Sequence, residues 1–183
     1  CPKTPTLTGT LAISAGYAYG VTLSADGNTA YVADGTSGLR IIDVSDPSNP
    51  TLIETFDTSG ATISVILSAD GNTAYVADLE AGLRVVDVSN PSSPTLVKTF
   101  DTSGAARFVA LSADDNTAYV ADGGSGLQII DVSNPSAPAL TDTIDTSWAY
   151  DVTLSADGNT AYVADSSDGL RIITLAQEFS IAT

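Results

Sequence analysis

The chain repeats one unit of about 44 residues four times, and this repeat limits the possible folds more than any other feature of the sequence. The phrase LSADGNTAYVAD, with one change in the third copy, begins at Leu23, Leu67, Leu111 and Leu154. A second phrase, GLRIIDV or a close variant, begins at Gly38, Gly82, Gly126 and Gly169. Recurrence at such a period indicates an architecture in which each unit packs against its neighbours.

Each unit is predicted to form four short strands. Val, Ile, Thr and Tyr recur in runs of five to seven residues, which favours strands. In the second unit the predicted strands are Ala61–Leu67, Thr73–Ala77, Leu83–Val88 and Thr95–Phe100. A tight hairpin at Ala-Asp-Gly-Asn joins the first two. The third unit has Asp115 in place of glycine there, and Asp also tolerates the left-handed backbone of this turn.

Four antiparallel strands per unit are typical of a blade of a β-propeller. We therefore expect an all-β fold, a four-bladed β-propeller with about 44 residues and four antiparallel strands per blade, in a single domain of residues 1–183. The expected segments are a closing strand at 5–16, blades at 17–57, 61–101, 105–145 and 148–176, and a strand-like tail at 177–183.

Ring closure is predicted from a missing and a surplus piece. The fourth unit lacks the proline turn and the strand after it, whereas Thr6–Ile13 reads as a strand without a blade of its own. The N-terminal strand is therefore expected to pair with blade four and close the ring, which leaves no long unpaired edge. The alternative is that the chain is an excerpt of a larger propeller.

The repeat resembles the LVIVD repeat family and the related surface-layer propellers. The resemblance is carried by Ala-Tyr-Val-Ala-Asp, then Gly-Leu-Arg-Ile-Ile-Asp-Val-Ser-Asp-Pro and a later Pro-x-Leu, and it covers residues 5–176. It implies a β-propeller of a secreted or surface protein without a shared enzymatic activity. Such propellers usually carry more than four blades, and in this respect the sequence departs from the family pattern.

The composition disfavours several classes of function. Twenty-two acidic residues stand against six Lys and Arg, which gives a net charge of −16 and disfavours nucleic acid as a partner. Without histidine the chain has no Ser-His-Asp triad and no His-ligated zinc. Its apolar runs are too short to span a membrane. We expect no enzymatic activity; a hydrolase with a carboxylate pair is the weakest alternative.

The N-terminus suggests processing and export. The chain contains no Met, and Cys1 is its single cysteine. A lipoprotein signal peptidase leaves a cysteine at the new N-terminus, so Cys1 is a candidate for lipidation or processing. Alternatively the chain is a fragment, or a Met was trimmed before Cys1. The expected location is extracellular or at the cell surface.

Four aspartates form the one candidate metal site. Each begins the loop after the second strand of its unit: Asp34, Asp78, Asp122 and Asp165. Carboxylates are ligands of Ca²⁺, so a ring of them could bind calcium. The alternative is that each carboxylate caps its own turn. No other cofactor is expected.

Four aromatic residues break the repeat and form a candidate binding platform. They are Tyr17, Tyr19, Trp148 and Tyr150. In a closed ring they would come from adjacent corners of blades one and four. Exposed, they could stack on a sugar ring or anchor a protein partner; alternatively they fill a gap between blades.

Two terminal segments compete for the outer position of blade four. One contains Thr6, Leu7, Leu11 and Ile13, and the other contains Phe179 and Ile181. An unpaired strand leaves backbone groups unsatisfied, so the surplus strand is predicted to pair with another copy, head to tail. The predicted function is a non-enzymatic extracellular structural or adhesive propeller whose partners are copies of itself or other surface proteins. The alternative is a module that binds a glycan or a protein.

Overall fold

The computed structural model describes residues 4–13 and 16–175, which form fifteen strands in four antiparallel sheets. Blade one contains β1 (Gly20–Leu23), β2 (Thr29–Ala33), β3 (Leu39–Asp43) and β4 (Thr51–Phe56). Blade two contains β5 (Ser64–Leu67), β6 (Thr73–Ala77), β7 (Leu83–Asp87) and β8 (Thr95–Phe100). Blade three contains β9 (Phe108–Leu111), β10 (Thr117–Ala121), β11 (Leu127–Asp131) and β12 (Ala139–Ile144). Blade four contains β13 (Ala149–Leu154), β14 (Thr160–Asp165) and β15 (Gly169–Thr174), with a 3-10 turn at Ser166–Asp168.

Within each blade the strands pair in the order of the sequence, so every connection is a short hairpin. The first hairpin has the predicted left-handed residue in all four units, with φ of +72, +73, +58 and +71° at Gly27, Gly71, Asp115 and Gly158. The preceding aspartate accepts hydrogen bonds from the backbone and side chain of the next asparagine, as Asp26 does from Asn28. The all-β, four-unit prediction is confirmed.

The first strand of blade two, Ser64–Leu67, is shorter than the predicted Ala61–Leu67, because a residue before it contacts the previous blade instead. In blade two, Thr62 forms an isolated β-bridge with Gly35 of blade one. Leu79 with Ala106, and Gly123 with Ala149, form the same bridge at the next two junctions.

The hydrophobic core lies between blades. Tyr31, Leu39 and Ile41 of blade one pack against Val65 and Val76 of blade two, and the same pattern recurs at the two following junctions. The innermost strands β1, β5, β9 and β13 share a cavity of about 390 Å³. The blades are therefore arranged side by side around a common axis.

The predicted closing strand is not formed within the described residues. Residues 4–13 contain no strand, and Leu11 and Ile13 pack on Ala30, Val32 and Ile42 of blade one. Among the described residues, the sheet of blade four has three strands. Thr6–Ile13 forms no strand pairing with blade four there, since Leu11 and Ile13 are half-buried on blade one, and closure of the ring by this segment stays a prediction. Cys1 and the tail with Phe179 and Ile181 lie outside the described residues.

Candidate functional site

The face of blade one that points away from blade two is exposed along its inner part. Val21 is 66% exposed, whereas its equivalents Val65, Val109 and Val152 are 7%, 1% and 1% exposed because the preceding blade covers them. Leu23 on the same strand is also exposed. We call Val21 and Leu23, with the adjoining Ala18, the head face.

The opposite face of blade four is exposed as well. Leu170 and Ile172 are 63% and 64% exposed, whereas Leu39 and Ile41, their equivalents in blade one, are fully buried. Tyr162 and Ala164 of β14 belong to this surface, and Ala164 is exposed where Ala33, Ala77 and Ala121 are not. We call Tyr162, Ala164, Leu170 and Ile172 the tail face. The junction that would bring blade four against blade one is therefore open.

The N-terminal residues that the sequence suggested for assembly differ in their exposure. Thr6 and Leu7 are exposed, whereas Leu11 and Ile13 are half-buried on blade one. Leu11 and Ile13 cover the outer part of the same blade-one face whose inner part is the head face. The segment therefore borders the exposed junction without filling it.

The four candidate aspartates are buried at the start of the loop after the second strand, and each ties parts of its own blade together. Asp34, Asp78 and Asp165 accept a hydrogen bond from the Nε of an arginine on the third strand, at 2.5, 2.6 and 2.6 Å. Those arginines are Arg40, Arg84 and Arg171.

The same carboxylates also hold the corner that leads into the blade. Asp78 accepts hydrogen bonds from the hydroxyls of Thr58 and Thr62, and Asp165 accepts them from the backbone N–H of Ser147 and Trp148. Burial raises the pKa of Asp165, but these donors and Arg171 outweigh burial, so its pKa lies below the ordinary value. These contacts differ from the predicted capping of each aspartate's own turn, because the donors lie on the third strand and in the corner before the blade.

Blade three lacks the arginine, because Gln128 stands in its place. Gln128 donates to the carbonyl of Ser125 and not to Asp122. Asp122 accepts a hydrogen bond from the Thr102 hydroxyl at 2.5 Å, but its Oδ2 has no partner of good geometry. Burial raises the pKa of Asp122 from 3.8 to about 6, and the hydrogen bonds from Thr102 and Gly104 offset this only in part.

The four aspartates do not form a common metal site. Each is engaged within its own blade, and residues 4–13 and 16–175 contain no group of three or more His, Cys, Asp or Glu side chains placed to hold one ion. The calcium ligands expected from the sequence are therefore separated, one per blade.

Two of the four aromatic candidates lie together with an arginine of blade three. Trp148 and Tyr150 lie beside Arg107 of blade three, whose guanidinium carbon is 5.8 and 4.9 Å from the two ring centroids. Trp148 also packs on Gly123 and Gly124, yet it remains 38% exposed. Tyr17 and Tyr19 are exposed on blade one, where the Tyr19 ring lies beside Gly35.

Sequence reasoning missed Arg107 and the aspartate–arginine pairs. The pairs do have a signal, since an arginine follows the buried aspartate by six residues in units one, two and four and is replaced only in unit three. Arg107 has a weaker one: it occupies the place of Tyr19, Ile63 and Tyr150 in the repeat.

The sheets, their order and the shared axis define the chain as part of a β-propeller. The model of the LVIVD repeat matches residues 15–58, 59–102, 103–146 and 149–174, so the chain belongs to the LVIVD repeat family. No curated protein sequence matches it closely enough to count as a relative.

Solved propellers show the same fold at low identity. Hydrazine synthase of Kuenenia stuttgartiensis is 19% identical over 93% of this chain and 49% of its own, with a TM-score of 0.74. A functionally unknown protein from Desulfotomaculum acetoxidans is 19% identical over 88% and 52%, also at 0.74. The periplasmic gluconolactonase of Pseudomonas aeruginosa is 20% identical over 85% and 56%, at 0.65. The chain thus spans about half the length of these structures.

None of the described residues forms an apolar helix long enough to cross a bilayer.

Proposed function

We propose that this chain is a non-enzymatic structural or adhesive β-propeller segment of an exported protein, and that it acts through protein–protein contacts made by its head and tail faces. The observation that carries this proposal is the exposure of Val21, Leu170 and Ile172. Every other blade buries the equivalents of Val21 and Leu170, and the equivalents of Ile172 are buried in blades one and two and half-buried in blade three. Contiguous apolar surface of this kind marks interaction sites.

The head and tail faces differ from ordinary exposed apolar residues, because the equivalent surfaces of the other blades pack against each other within the chain. Val65, Val109 and Val152 show what covers a valine at this position, namely the aliphatic and tyrosine side chains of the preceding blade. Each fully buried valine or leucine stabilises a contact by about 1.5–3 kcal/mol. Burial of the exposed faces by a partner would therefore stabilise the contact in the same way as apolar burial stabilises the three junctions within the chain.

A structural role also accounts for the buried carboxylates. Three of the four are bound by arginine and by donors of their own blade, so they serve to hold corners in place. The similarity to gluconolactonases concerns the fold alone. Export is supported by the acidic composition, by the lack of cysteine after residue 1, and by the periplasmic location that one similar protein bears in its name.

The test is self-association of the purified chain, followed by sedimentation velocity over a range of concentrations. Leu170→Asp places a charge in the tail face, and we expect it to weaken association at least tenfold, because a lost leucine contact of about 1.5–3 kcal/mol corresponds to that or more. The matched control is Leu96→Asp, which makes the same change at an exposed leucine of the outer strand β8. Equal association of both variants, or a wild-type chain that stays monomeric at the highest concentration, would contradict the proposal.

A second candidate function is ligand binding at the cluster of Arg107, Trp148 and Tyr150. A cation over two part-exposed rings offers both a charge and a stacking surface, which suits an acidic glycan. Trp148 is the only tryptophan, so its emission reports on this cluster alone. Titration with polygalacturonate oligomers should change the emission of the wild type and not of Arg107→Gln. An unchanged wild-type emission would remove this function.

A further inference from the structure

We propose that blade three binds a small monovalent cation such as Na⁺ beside the buried carboxylate of Asp122. The cation takes the place that an arginine head group has in blades one, two and four. Blade three packs against blade two on one side and against blade four on the other, so this environment lies within the chain. The inference is independent of the proposed function, because it concerns neither the head face nor the tail face.

The first argument is the missing positive charge. Asp122 is buried like its three equivalents, but Gln128 stands where they have an arginine. Burial of a charge without a partner is costly, and it raises the pKa of Asp122 to about 6, so the carboxylate is still mostly ionised at neutral pH. Among the described residues no basic side chain forms an ion pair with Asp122, and the nearby Asp101 is itself acidic.

The second argument is that Asp122 keeps one oxygen available for an ion. Its Oδ1 accepts a hydrogen bond from the Thr102 hydroxyl at 2.5 Å. Its Oδ2 is buried and has no hydrogen-bond partner of good geometry, and this is the oxygen that receives the arginine Nε in the other blades. Gln128 is engaged elsewhere, since it donates to the carbonyl of Ser125 and accepts from the hydroxyl of Thr143.

The third argument is the convergence of neutral oxygens on the same space. The carbonyl oxygen of Asp122, its Oδ2 and the Oγ of Ser125 lie 2.4, 2.6 and 2.7 Å from the point where a Cβ on Gly104 would stand. These oxygens therefore face one another across space that any other residue at position 104 would fill. Carboxylate, carbonyl and hydroxyl oxygens are the ligands that hard cations prefer.

The charge of the site favours a monovalent ion over calcium. Ca²⁺ takes six to eight oxygens, commonly including several carboxylates, whereas one carboxylate faces this space. A single positive charge balances Asp122 just as an arginine balances its equivalents. The proposed site therefore differs from the ring of four aspartates considered for calcium.

The experiment compares melting temperatures at pH 7.5 in sodium chloride and in tetramethylammonium chloride of equal ionic strength, at one protein concentration. The two salts screen surface charges equally, but tetramethylammonium is too large to enter a buried site. We expect the wild type to melt about 2–4 °C higher in sodium, with an effect that saturates, because an ion that binds the folded state stabilises it by mass action.

Two variants should remove this difference between the salts. Gln128→Arg supplies the positive charge from the chain itself, so its gain in stability over the wild type should be greater in tetramethylammonium than in sodium. Asp122→Asn keeps the shape of the side chain and removes its charge, and it provides the same test if Gln128→Arg fails to fold.

A pair of serine variants tests the neutral ligand. Ser125→Ala should raise the sodium concentration of half-maximal effect roughly fivefold, since one oxygen contact to a charged group is lost. The matched control is Ser37→Ala, which removes the equivalent hydroxyl in blade one, where Arg40 already binds the aspartate. This control should leave the response to sodium unchanged.

Equal melting temperatures of the wild type in the two salts would overturn the inference. A sodium effect that persists in Gln128→Arg and Asp122→Asn would place the ion elsewhere and overturn it as well. An equal loss of sodium affinity in Ser125→Ala and Ser37→Ala would likewise speak against a site in blade three.

Discussion

Replacement of Gln128 by arginine should stabilise the protein, and more so at neutral than at acidic pH. Asp122 is the one buried aspartate of its set without an arginine, and its Oδ2 lacks a well-formed hydrogen bond. In blade two the equivalent Arg84 reaches both Asp78 and the hydroxyl of Thr99. Gln128 already accepts a hydrogen bond from Thr143, the equivalent of Thr99, so an arginine at position 128 can lie along the same side chains as Arg84 does in blade two.

The magnitude follows from the pKa of Asp122. A rise from 3.8 to about 6 means that the ionised carboxylate costs the folded state about 3 kcal/mol at pH values well above 6. Because the folded pKa is the higher one, the contribution of Asp122 to stability is fully present below pH 3.8 and is lost as the pH rises through about 6. An arginine recovers part of the loss, so we expect a gain of about 1–3 kcal/mol at pH 7.5 and a much smaller gain at pH 4.5.

The assay is urea unfolding of wild type and Gln128→Arg at both pH values and at one protein concentration, because association adds to apparent stability. Arg84→Gln is the matched control, since it creates in blade two the arrangement of blade three and should destabilise by about 1–3 kcal/mol at pH 7.5. If Gln128→Arg were no more stable than wild type at pH 7.5, or gained equally at pH 4.5, the electrostatic reasoning would be refuted.

Three further predictions concern the turns and the aspartates. Asp115→Ala should destabilise by about 1–3 kcal/mol in urea unfolding, because Asp115 has φ +58° and accepts a hydrogen bond from the Ala69 N–H of blade two; a neutral result would contradict this. The pKa values of the hairpin aspartates are lowered, first by hydrogen bonds from serine hydroxyls; these residues are Asp26, Asp70, Asp114 and Asp157. Their contribution to stability is therefore present above pH 3.8 and is lost as the pH falls below it. A melting temperature that does not fall between pH 4 and pH 2.5 would speak against this. Millimolar calcium should leave the melting temperature unchanged, because arginines already occupy three of the four buried carboxylates, and a rise of several degrees would restore the calcium site.

The local structure of each blade could be predicted from the sequence because it depends on contacts a few residues apart. The strands Thr73–Ala77 and Thr95–Phe100 have the predicted bounds, and Asp115 adopts the left-handed backbone inferred from its place in the repeat. Contacts of the same short range hold the end of the third strand: Asp43 accepts a hydrogen bond from the Ser45 N–H, and Asp87 accepts one from the Ser89 N–H. Such turns form whatever the rest of the molecule does.

The buried aspartate–arginine pairs are only partly predictable. Their six-residue spacing recurs in three units, but the spacing alone does not show which side chain Arg40 contacts. Its partner Asp34 lies in a loop on the other side of the hairpin. Only the packing of the corner against the third strand brings the two together, and that packing is a property of the folded blade.

The position of the open junction is the least predictable feature, because the repeat makes all junctions alike. Val21 and Val65 stand in nearly the same local sequence, yet 66% of one side chain is exposed and 7% of the other. The difference lies entirely in whether a blade precedes them, and no residue near Val21 encodes that. A repeat sequence therefore specifies how one blade covers the next, whereas the number of blades that close the ring follows from the rotation per junction. The surface that covers the exposed side of blade one is the same kind of blade surface whether it belongs to a further blade of a longer chain or to a second chain.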